Sequence, residues 1–242
     1  MIRLNKLLAQ CGLGSRRKCD QLIQTGKIAV NGKIVTTLGL LVDENEDTIF
    51  FDEKILTPEN TAVYILLNKP IGYVTTLNDE KGRKKVSDLI PIKQRIFPVG
   101  RLDIDTEGLL LLTNDGNLCY QLTHPKFLVD KVYMVKINQS IQAKDIQKLE
   151  RGIMLETGIT APCKIQLHTA DKTRRTLNVI LHEGKKRQVR RMFEALGYSV
   201  RYLVRTKFAN LTLNNLPVGK WRYLTGKEIT KLTRTFKSKK NI

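Results

Sequence analysis

The sequence predicts an α+β fold with a mainly antiparallel sheet, preceded by a small separate module at the N-terminus. Hydrophobic residues make up 41% of the 242 residues, which is too many for a disordered polycation and enough for packed cores. Beyond about residue 60, strand-like segments dominate and helical ones interrupt them at irregular intervals, which is typical of α+β domains. The residues before that point differ from the rest in their charge pattern.

The charges divide the chain and indicate its partner. Lys and Arg number 42 against 23 Asp and Glu, a formal net charge of +19. Residues 1–34 hold 7 bases and 1 acid (+6) and residues 35–60 hold 1 base and 7 acids (−6), so the whole surplus belongs to residues 61–242. Such a surplus opposes compaction and is typical of proteins that bind a polyanion. We therefore expect nucleic acid; charge kept for solubility alone is the alternative, although added acids serve solubility better.

The cysteines and the apolar runs bear on cellular setting. The four cysteines have no C-x-x-C spacing, which favours reduced thiols in the cytoplasm. With three scattered histidines, they do not suggest a zinc site. The longest aliphatic run covers residues 109–112, far short of the ~20 residues of a spanning helix, and the start of the sequence has no apolar signal core. We expect neither secretion nor membrane insertion.

Short-range signals predict two helices and a hairpin in the N-terminal module. An apolar stripe at helical spacing predicts a helix over residues 4–11, which the glycines of residues 12–14 end. Ser15 is placed to cap a second helix whose first turn, residues 16–18, is entirely basic. Cations there oppose the helix dipole, which is tolerable when a phosphate binds at that point. The Asn-Gly pair at residues 31–32 predicts a type I′ hairpin turn.

The larger module is predicted to follow a linker at residues 57–61. Strands are expected at residues 63–68, 96–99, 109–113, 131–138, 163–169, 176–181, 200–205 and 209–213. Helices are expected at residues 117–123, 142–151, 185–197 and 226–236. Thr225 and Glu228 have capping-box spacing, and Ser140 is expected to cap the helix that begins near residue 142. Residues 237–242 are predicted to form a basic tail.

The segment from 99 to 116 concentrates charge in a loop and then enters an aliphatic strand. Asp103, Asp105 and Glu107 resemble the opening of a calcium loop, but Asn114 stands where a bidentate Glu is required. Phosphate-binding glycine motifs for nucleotides do not occur in the sequence. The remaining candidate for chemistry in this segment is the carboxylate of Asp103, which lies close to Arg101 in the sequence. Because an Asp in a turn is more often a cap than a catalyst, these residues alone leave open whether Asp103 is catalytic.

Two resemblances to known families bear on this question. The N-terminal module resembles the alpha-L RNA-binding fold, shared by a ribosomal small-subunit protein, bacterial tyrosyl-tRNA synthetases and several RNA-modifying enzymes. The matching residues are Arg3, Leu4, Asn5, Lys6, Ser15, Arg16, Arg17, Gly26, Val30, Asn31 and Gly32. The larger module resembles pseudouridine synthases of the RsuA and RluB type, which carry the same N-terminal fold. Its matching segments are residues 100–103, 105–116, 68–72, 131–135, 183–192 and 205–206.

The second resemblance implies roles for particular residues. Asp103 would be the catalytic aspartate, Tyr133 the ring that lies against the uracil, and Arg190 the cation paired with Asp103. No cofactor is implied, because one ionised carboxylate can attack C1′ of the ribose or remove a sugar proton, and the sequence leaves these two roles open. The Tyr133 hydroxyl is a further candidate for handling the C5 proton. The residues expected to contact RNA are Arg101, Arg3, Asn5, Lys6, Ser15, Arg16, Arg17, Lys18, Asn31, Lys185, Lys186, Arg187 and Arg191.

The resemblance thus implies a cytoplasmic, monomeric RNA pseudouridine synthase with ribosomal RNA or its assembly intermediates as partner. An alpha-L domain is expected over residues 1–60 and a catalytic domain over residues 61–236. Large-subunit RNA is favoured, and small-subunit RNA stays open because charge identifies a polyanion and not its sequence. A non-catalytic assembly factor and a charge-driven RNA chaperone are the remaining alternatives.

Overall fold

The computed structural model describes residues 1–58, 61–168 and 170–237. The chain divides into two compact units, one formed by Met1–Ala62 with Ile92–Arg95 and the other by Val63–Pro91 with Ile96–Ile242. Two residues of the predicted linker, 59 and 60, and the predicted tail beyond Lys237 lie outside the described residues.

The N-terminal unit contains two helices and two small antiparallel sheets. Its elements are β1 (Ile2–Arg3), α1 (Leu4–Gln10), α2 (Arg16–Gln24), β2 (Ile28–Val30), β3 (Lys33–Ile34), β4 (Leu41–Val42), β5 (Ile49–Phe51) and β6 (Lys54–Ile55). Strand β1 pairs with β4, and the four-stranded sheet has the order β3-β2-β5-β6. The core is built from the buried faces of both helices against β2, β4 and β5.

The local predictions for this unit are confirmed. The Ser15 hydroxyl accepts a hydrogen bond from the backbone N–H of Lys18, at 3.2 Å, as an N-cap of α2. Asn31 and Gly32 have φ of 50° and 78°, the left-handed pair that a type I′ turn requires. They connect β2 to β3. Each feature depends on residues within a few positions of one another, which is why the sequence was sufficient.

The larger unit contains most of the strands. Its elements are β7 (Tyr64–Lys69), β8 (Phe97–Pro98), β9 (Glu107–Thr113), α3 (Gly116–Thr123), β10 (Lys131–Ile137), α4 (Ala143–Arg151), β11 (Met154–Leu155), β12 (Gly158–Ile159), β13 (Lys164–Leu167), β14 (Thr176–Leu181), α5 (Gln188–Glu194), β15 (Val200–Phe208), β16 (Leu211–Thr212), β17 (Trp221–Tyr223) and α6 (Gly226–Lys237).

Nine strands of the described residues form one sheet, in which the order along the main path is β13-β14-β10-β15-β9-β7-β17. All pairs are antiparallel except β15 with β9, which is parallel. The predicted α+β class with a mainly antiparallel sheet is therefore confirmed. The aliphatic residues 109–112 of β9 are fully buried. Since successive side chains of a strand point to opposite faces, both faces of β9, which lies between β15 and β7, are covered.

Two predicted helix starts are corrected. The helix expected from residue 185 begins at Gln188, since Arg187 has φ of 53° and cannot be part of a right-handed helix. Ser140 does not cap α4, because its hydroxyl donates to the Thr173 carbonyl and Gln142 occupies the N-cap position. The capping box of α6 is confirmed: the Thr225 N–H donates to the Glu228 carboxylate at 2.8 Å, and the Glu228 N–H donates to the Thr225 hydroxyl at 3.3 Å.

The hairpin of β11 and β12 and the edge strand β17 were not predicted from the sequence. Each has only two or three residues, too few to show a period. None of the helices in the described part of the chain is long and apolar enough to cross a membrane.

Candidate active site

A cleft of about 900 Å³ opens in the larger unit beside the loop that precedes β9. The loop lines it with residues 99–104 and 106, strand β10 with Lys131 and Tyr133, and the segment before and into α5 with residues 183–189. Asp103 and Tyr133 thus face the same space, although 30 residues separate them in the sequence.

Lys69, the last residue of β7, holds the loop from behind. Its side chain is fully buried, and its Nζ donates to the carbonyl oxygens of Asp103 at 3.1 Å, Thr106 at 2.8 Å and Pro70 at 3.0 Å. Burial lowers the pKa of Lys69 to about 8, since the charged form loses its hydration. The three carbonyls take the place of the lost water as acceptors.

The other carbonyls of the loop are also held. Leu102 O accepts from the Thr75 hydroxyl at 2.7 Å, and Ile104 O accepts from the Gly72 N–H at 2.8 Å. Asp105 O accepts from Arg190 at 2.7 Å. Every backbone carbonyl from residue 102 to 106 therefore accepts a hydrogen bond, which fixes the conformation of the loop. The half-buried carboxylate of Asp103, in contrast, has no hydrogen-bond or ion-pair partner within the described ranges.

Gly108 allows the loop to join the sheet at the parallel pair of β9 and β15. It has φ of 111°, and a Cβ added there would lie 2.4 Å from the carbonyl oxygen of Arg205 and 2.7 Å from its backbone nitrogen. Only glycine permits so close an approach of two backbones at this φ. The position of Asp103, five residues earlier, depends on this contact.

The arginine expected to pair with Asp103 pairs with Asp105 instead. Arg190 Nε lies 3.2 Å from Asp105 Oδ2, and Arg187 donates to both carboxylate oxygens at 3.0 Å. The reason is a tight turn, in which the Thr106 N–H donates to Asp103 O at 3.0 Å. We infer that this turn directs the Asp105 side chain toward the start of α5 and leaves Asp103 on the cleft side. Arg190, 7% exposed, also donates to Val200 O at 3.0 Å and does not line the cleft.

Tyr133 is 9% exposed and lies at the middle of β10. It is opposite Arg205 of β15 on one side and Val179 of β14 on the other. No hydrogen bond of its hydroxyl is found within the described residues, so the phenol is available to a molecule in the cleft.

The remaining cations predicted in this unit divide into two groups. Arg101, Lys185, Lys186 and Arg187 line the cleft. Lys185 also donates to the Ile159 carbonyl at 3.1 Å and lies 3.7 Å from Glu183. Arg191 is half-buried on α5 and does not line the cleft.

In the N-terminal unit the predicted contacts lie at the starts of α1 and α2, except Asn31, which lies in the turn between β2 and β3. Arg3, Arg16, Arg17 and Lys18 are exposed, as is the capping Ser15, and Lys6 is half-buried. The two asparagines support the fold of the unit: Asn5 donates to Asp20 at 2.8 Å and accepts from Arg16 at 3.3 Å. Asn31 donates to Asp47 at 2.8 Å and accepts from the Thr48 N–H at 2.9 Å.

Sequence reasoning missed three residues of the site. Lys69 belonged to a quoted motif, and its place at the end of an apolar strand was the available signal. Asp105 was considered as a calcium ligand and as part of a matching segment but was given no role, although a second acid two residues after Asp103 can pair with the cations near it. Arg205 belonged to a matching segment, residues 205–206, but its place in the cleft was not foreseen, because burial of one cation within a strand depends on which strands surround it.

Comparison with known proteins finds two family matches in the chain and several relatives along most of its length. The RNA pseudouridylate synthase family model matches residues 63–195, and the S4 domain model matches residues 2–47. Ribosomal large subunit pseudouridine synthase B of Bacillus subtilis (strain 168) is 47% identical over 235 residues, 96% of each chain. Dual-specificity RNA pseudouridine synthase RluF of Escherichia coli (strain K12) is 34% identical over 96% of this chain and 78% of its own.

A crystal structure of a pseudouridylate synthase superposes with a TM-score of 0.69 at 33% identity, covering 96% of this chain and all of that one. The expected alpha-L module corresponds to the S4 match, and the expected catalytic module to the synthase match. The family model covers the loop of the cleft and strand β10, the two full-length relatives cover 96% of the chain, and the chain belongs to the RNA pseudouridylate synthase family.

Proposed function

We propose that this pseudouridine synthase isomerises a uridine of large-subunit ribosomal RNA with Asp103 as its catalytic carboxylate. The observation that carries the proposal is the loop from residue 102 to 106. All of its carbonyls accept hydrogen bonds, and the Asp103 carboxylate lines the cleft without a partner among the described residues. A carboxylate held in this way is available to the ribose of a bound nucleotide.

The reaction needs one group at the sugar and a surface for the base. The N1–C1′ bond of uridine must break, the uracil must turn, and C5 must join C1′. The Asp103 carboxylate can add to C1′ as a nucleophile or take a proton from the sugar as a base. Both routes require an ionised Asp103.

Tyr133 is proposed to lie against the extruded uracil. A base inside an RNA helix cannot reach a carboxylate on a protein, so it must leave the stack and be received by apolar or aromatic groups. The buried Tyr133 ring offers such a surface in the same cleft. Its hydroxyl can exchange a proton with C5.

Arg190 of α5 is proposed to position the loop, and the exposed cations to bind phosphates. Arg190 acts through Asp105 and its carbonyl, so its role is positional. Arg101 and Lys186 line the mouth of the cleft and are exposed. Residues 16–18 present three exposed cations at the start of α2, where a helix N-terminus also favours a phosphate.

The substrate class follows from the relatives and from charge. The Bacillus subtilis relative is named for the large ribosomal subunit, and a net charge of +19 suits a large RNA. We extend the proposal to an RNA-binding domain over residues 1–60, a catalytic domain over residues 61–236, and action as a cytoplasmic monomer on ribosomal RNA or its assembly intermediates. The four free cysteines are consistent with the reducing location.

Mapping of pseudouridines in ribosomal RNA tests the proposal. Carbodiimide-induced reverse-transcription stops would be compared between cells with and without this gene. We expect one stop in large-subunit RNA to disappear on deletion and to return with the wild-type chain. It should not return with Asp103→Asn, which keeps the side-chain shape and removes the charge.

The exposed Glu156→Gln variant is the matched control and should restore the stop. A stop restored by a well-folded Asp103→Asn protein would contradict the catalytic assignment. A lost stop in small-subunit RNA would instead correct the substrate. If every ribosomal stop persists in the deletion strain, the role as a ribosomal RNA synthase is refuted.

A further inference from the structure

The cleft contains a buried cation that has no counter-ion among the described residues. Arg205 is 2% exposed, and its Nε donates to the Leu109 carbonyl at 2.8 Å. One terminal nitrogen of its guanidinium has no hydrogen-bond partner within the described residues, and no carboxylate there lies within 4 Å of it. The guanidinium rests 4.8 Å from the centre of the Phe208 ring.

A second cation lies beside it. Lys131 Nζ donates to the carbonyl oxygens of Val129 at 3.0 Å and His182 at 2.9 Å, and lies 5.8 Å from the same Phe208 ring. An ammonium has three N–H donors, so one is left over. Burial, and secondarily the charge of Arg205, lowers the pKa of Lys131 to about 8. Neighbouring Asp130 favours the charged form of Lys131 but pairs with His182 at 2.9 Å, and no carboxylate of the described residues lies within 4 Å of either cation.

Such an arrangement is costly unless something else completes it. A buried polar nitrogen without a partner loses about 1–3 kcal/mol of hydrogen-bonding free energy, and more when it is charged. Native proteins rarely leave such groups unpaired. Both residues line the cleft, so a molecule that enters it can supply the missing acceptor.

The sheet register places these cations beside Tyr133. Arg205 is the direct partner of Tyr133 on the neighbouring strand, and partners in an antiparallel pair have their side chains on the same face. Lys131 precedes Tyr133 by two residues and shares that face too. The cations, the phenol and the Phe208 ring therefore surround one part of the cleft.

We propose that Arg205 and Lys131 bind the extruded uracil through its carbonyl oxygens and stabilise the negative charge that the ring carries after it leaves the sugar. This inference rests on the proposed function, because it assumes that a uridine occupies the cleft beside Tyr133. It assigns the two cations to the base, and leaves the sugar to Asp103.

The chemistry requires such a partner. When the N1–C1′ bond breaks, its electron pair stays on the uracil and spreads over N1, O2 and O4. C1′ gains in exchange a bond to an Asp103 oxygen, or a double bond to C2′ as Asp103 takes the C2′ proton. In the second half the uracil supplies an electron pair from C5 to C1′. At the same time the Asp103–C1′ bond breaks or, on the other route, the C2′ proton returns to the sugar. On both routes the C5 proton then leaves and N1 gains a proton.

A phosphodiester is the other oxygen anion that could use these donors. The surroundings of Arg205 favour the uracil base as its partner. The Arg205 guanidinium lies against the Phe208 ring, the residue is only 2% exposed, and it is opposite Tyr133 in the sheet. A phosphate of the RNA backbone keeps much of its water and suits the exposed Arg101 and Lys186 instead.

The test uses the full chain with Arg205→Gln and Lys131→Gln, and a synthetic RNA stem-loop that carries the mapped uridine. Two further RNAs replace that uridine by 2-thiouridine or 4-thiouridine, since sulfur accepts hydrogen bonds poorly. Single-turnover rates at saturating protein and dissociation constants would be measured for each pair. Arg201→Gln on β15 and Lys136→Gln on β10 are exposed controls on the same strands.

We expect each cleft variant to lower the single-turnover rate about 100-fold or more, as loss of one donor to a developing anion does, with RNA affinity within about threefold. At least one thio substitution should slow the wild-type enzyme and have much less effect on Arg205→Gln, a coupling that a purely structural role would not produce. If Arg205→Gln fails to fold, Lys131→Gln alone carries the test.

Three results would overturn the inference. Unchanged rates in both cleft variants would show that the cations do not act on the base. Weaker RNA affinity with an unchanged saturated rate would assign them to a phosphate. Equal thio effects in wild type and variants would remove the contact with the carbonyl oxygens. Loss of activity in Asp103→Asn alongside any of these would leave the proposed function standing, and an active Asp103→Asn would refute that function separately.

Discussion

Substitution of Gly108 by alanine should separate the loop of Asp103 from the sheet. The added methyl would lie 2.4 Å from the carbonyl oxygen of Arg205 and 2.7 Å from a methyl carbon of Val204. Real Cβ atoms do not approach backbone atoms this closely, so β9 and β15 must move apart at their only described parallel contact.

The size of the effect follows from two terms. Alanine at φ of 111° adds a backbone strain of about 1–2 kcal/mol. Forcing a methyl into a filled space adds about 1–3 kcal/mol. The free energy of unfolding of the larger unit should therefore fall by about 2–5 kcal/mol, which lowers its Tm by roughly 4–20 °C for a unit of this size.

Urea denaturation followed by circular dichroism measures this change. Gly116→Ala is the matched control, because Gly116 begins α3 and an added Cβ there would have no atom within 4 Å; it should be neutral or slightly stabilising. A Gly108→Ala protein within about 0.5 kcal/mol of wild type would refute the argument that close packing of the two backbones holds the loop.

Three further predictions concern charge. The pKa of Lys69 is lowered to about 8, and its neutral amine keeps only two N–H donors for three carbonyls. The single-turnover rate should therefore fall as pH rises through about 8, both in wild type and in Lys131→Gln. A rate that does not change with pH in either protein would contradict this. Asp105→Asn leaves the buried Arg190 guanidinium without its carboxylate and should lower the unfolding free energy by about 1–3 kcal/mol after allowance for solvent screening; an unchanged urea midpoint would exclude that pairing. Changing residues 16–18 to glutamine should weaken RNA binding and reduce the slope of log Kd against log salt by about two to three, and an equal slope would remove these cations from the RNA interface.

Local features were accessible to sequence reasoning because their causes lie within a few residues. The Ser15 cap, the Asn31-Gly32 turn and the capping box of Thr225 and Glu228 are formed by neighbours in the chain. The failure at Ser140 has the same explanation in reverse: its hydroxyl donates to Thr173, 33 residues away, and a local pattern contains no information on such a partner.

The candidate site was accessible only in part. Asp103 and Tyr133 were identified through motifs of a known family, and the structure brings both to one cleft. The partner of Arg190 was mistaken because the choice between Asp103 and Asp105 depends on how one turn directs two side chains toward a helix 85 residues away. The sequence offers both carboxylates equally.

The sequence by itself determined that this is a basic two-module α+β protein, where most of its helices and strands lie, and which family's motifs it carries. The hydrophobic period, the turn residues and the net charge are properties of short segments or of the whole composition. They can be recognised without knowing which strands pair with each other. The tertiary structure alone decided that Arg205 and Lys131 are buried beside Tyr133, that Lys69 supports the loop, and that Gly108 must be glycine. These facts depend on the register between strands that are distant in sequence, because that register determines which side chains share a face and which backbones touch.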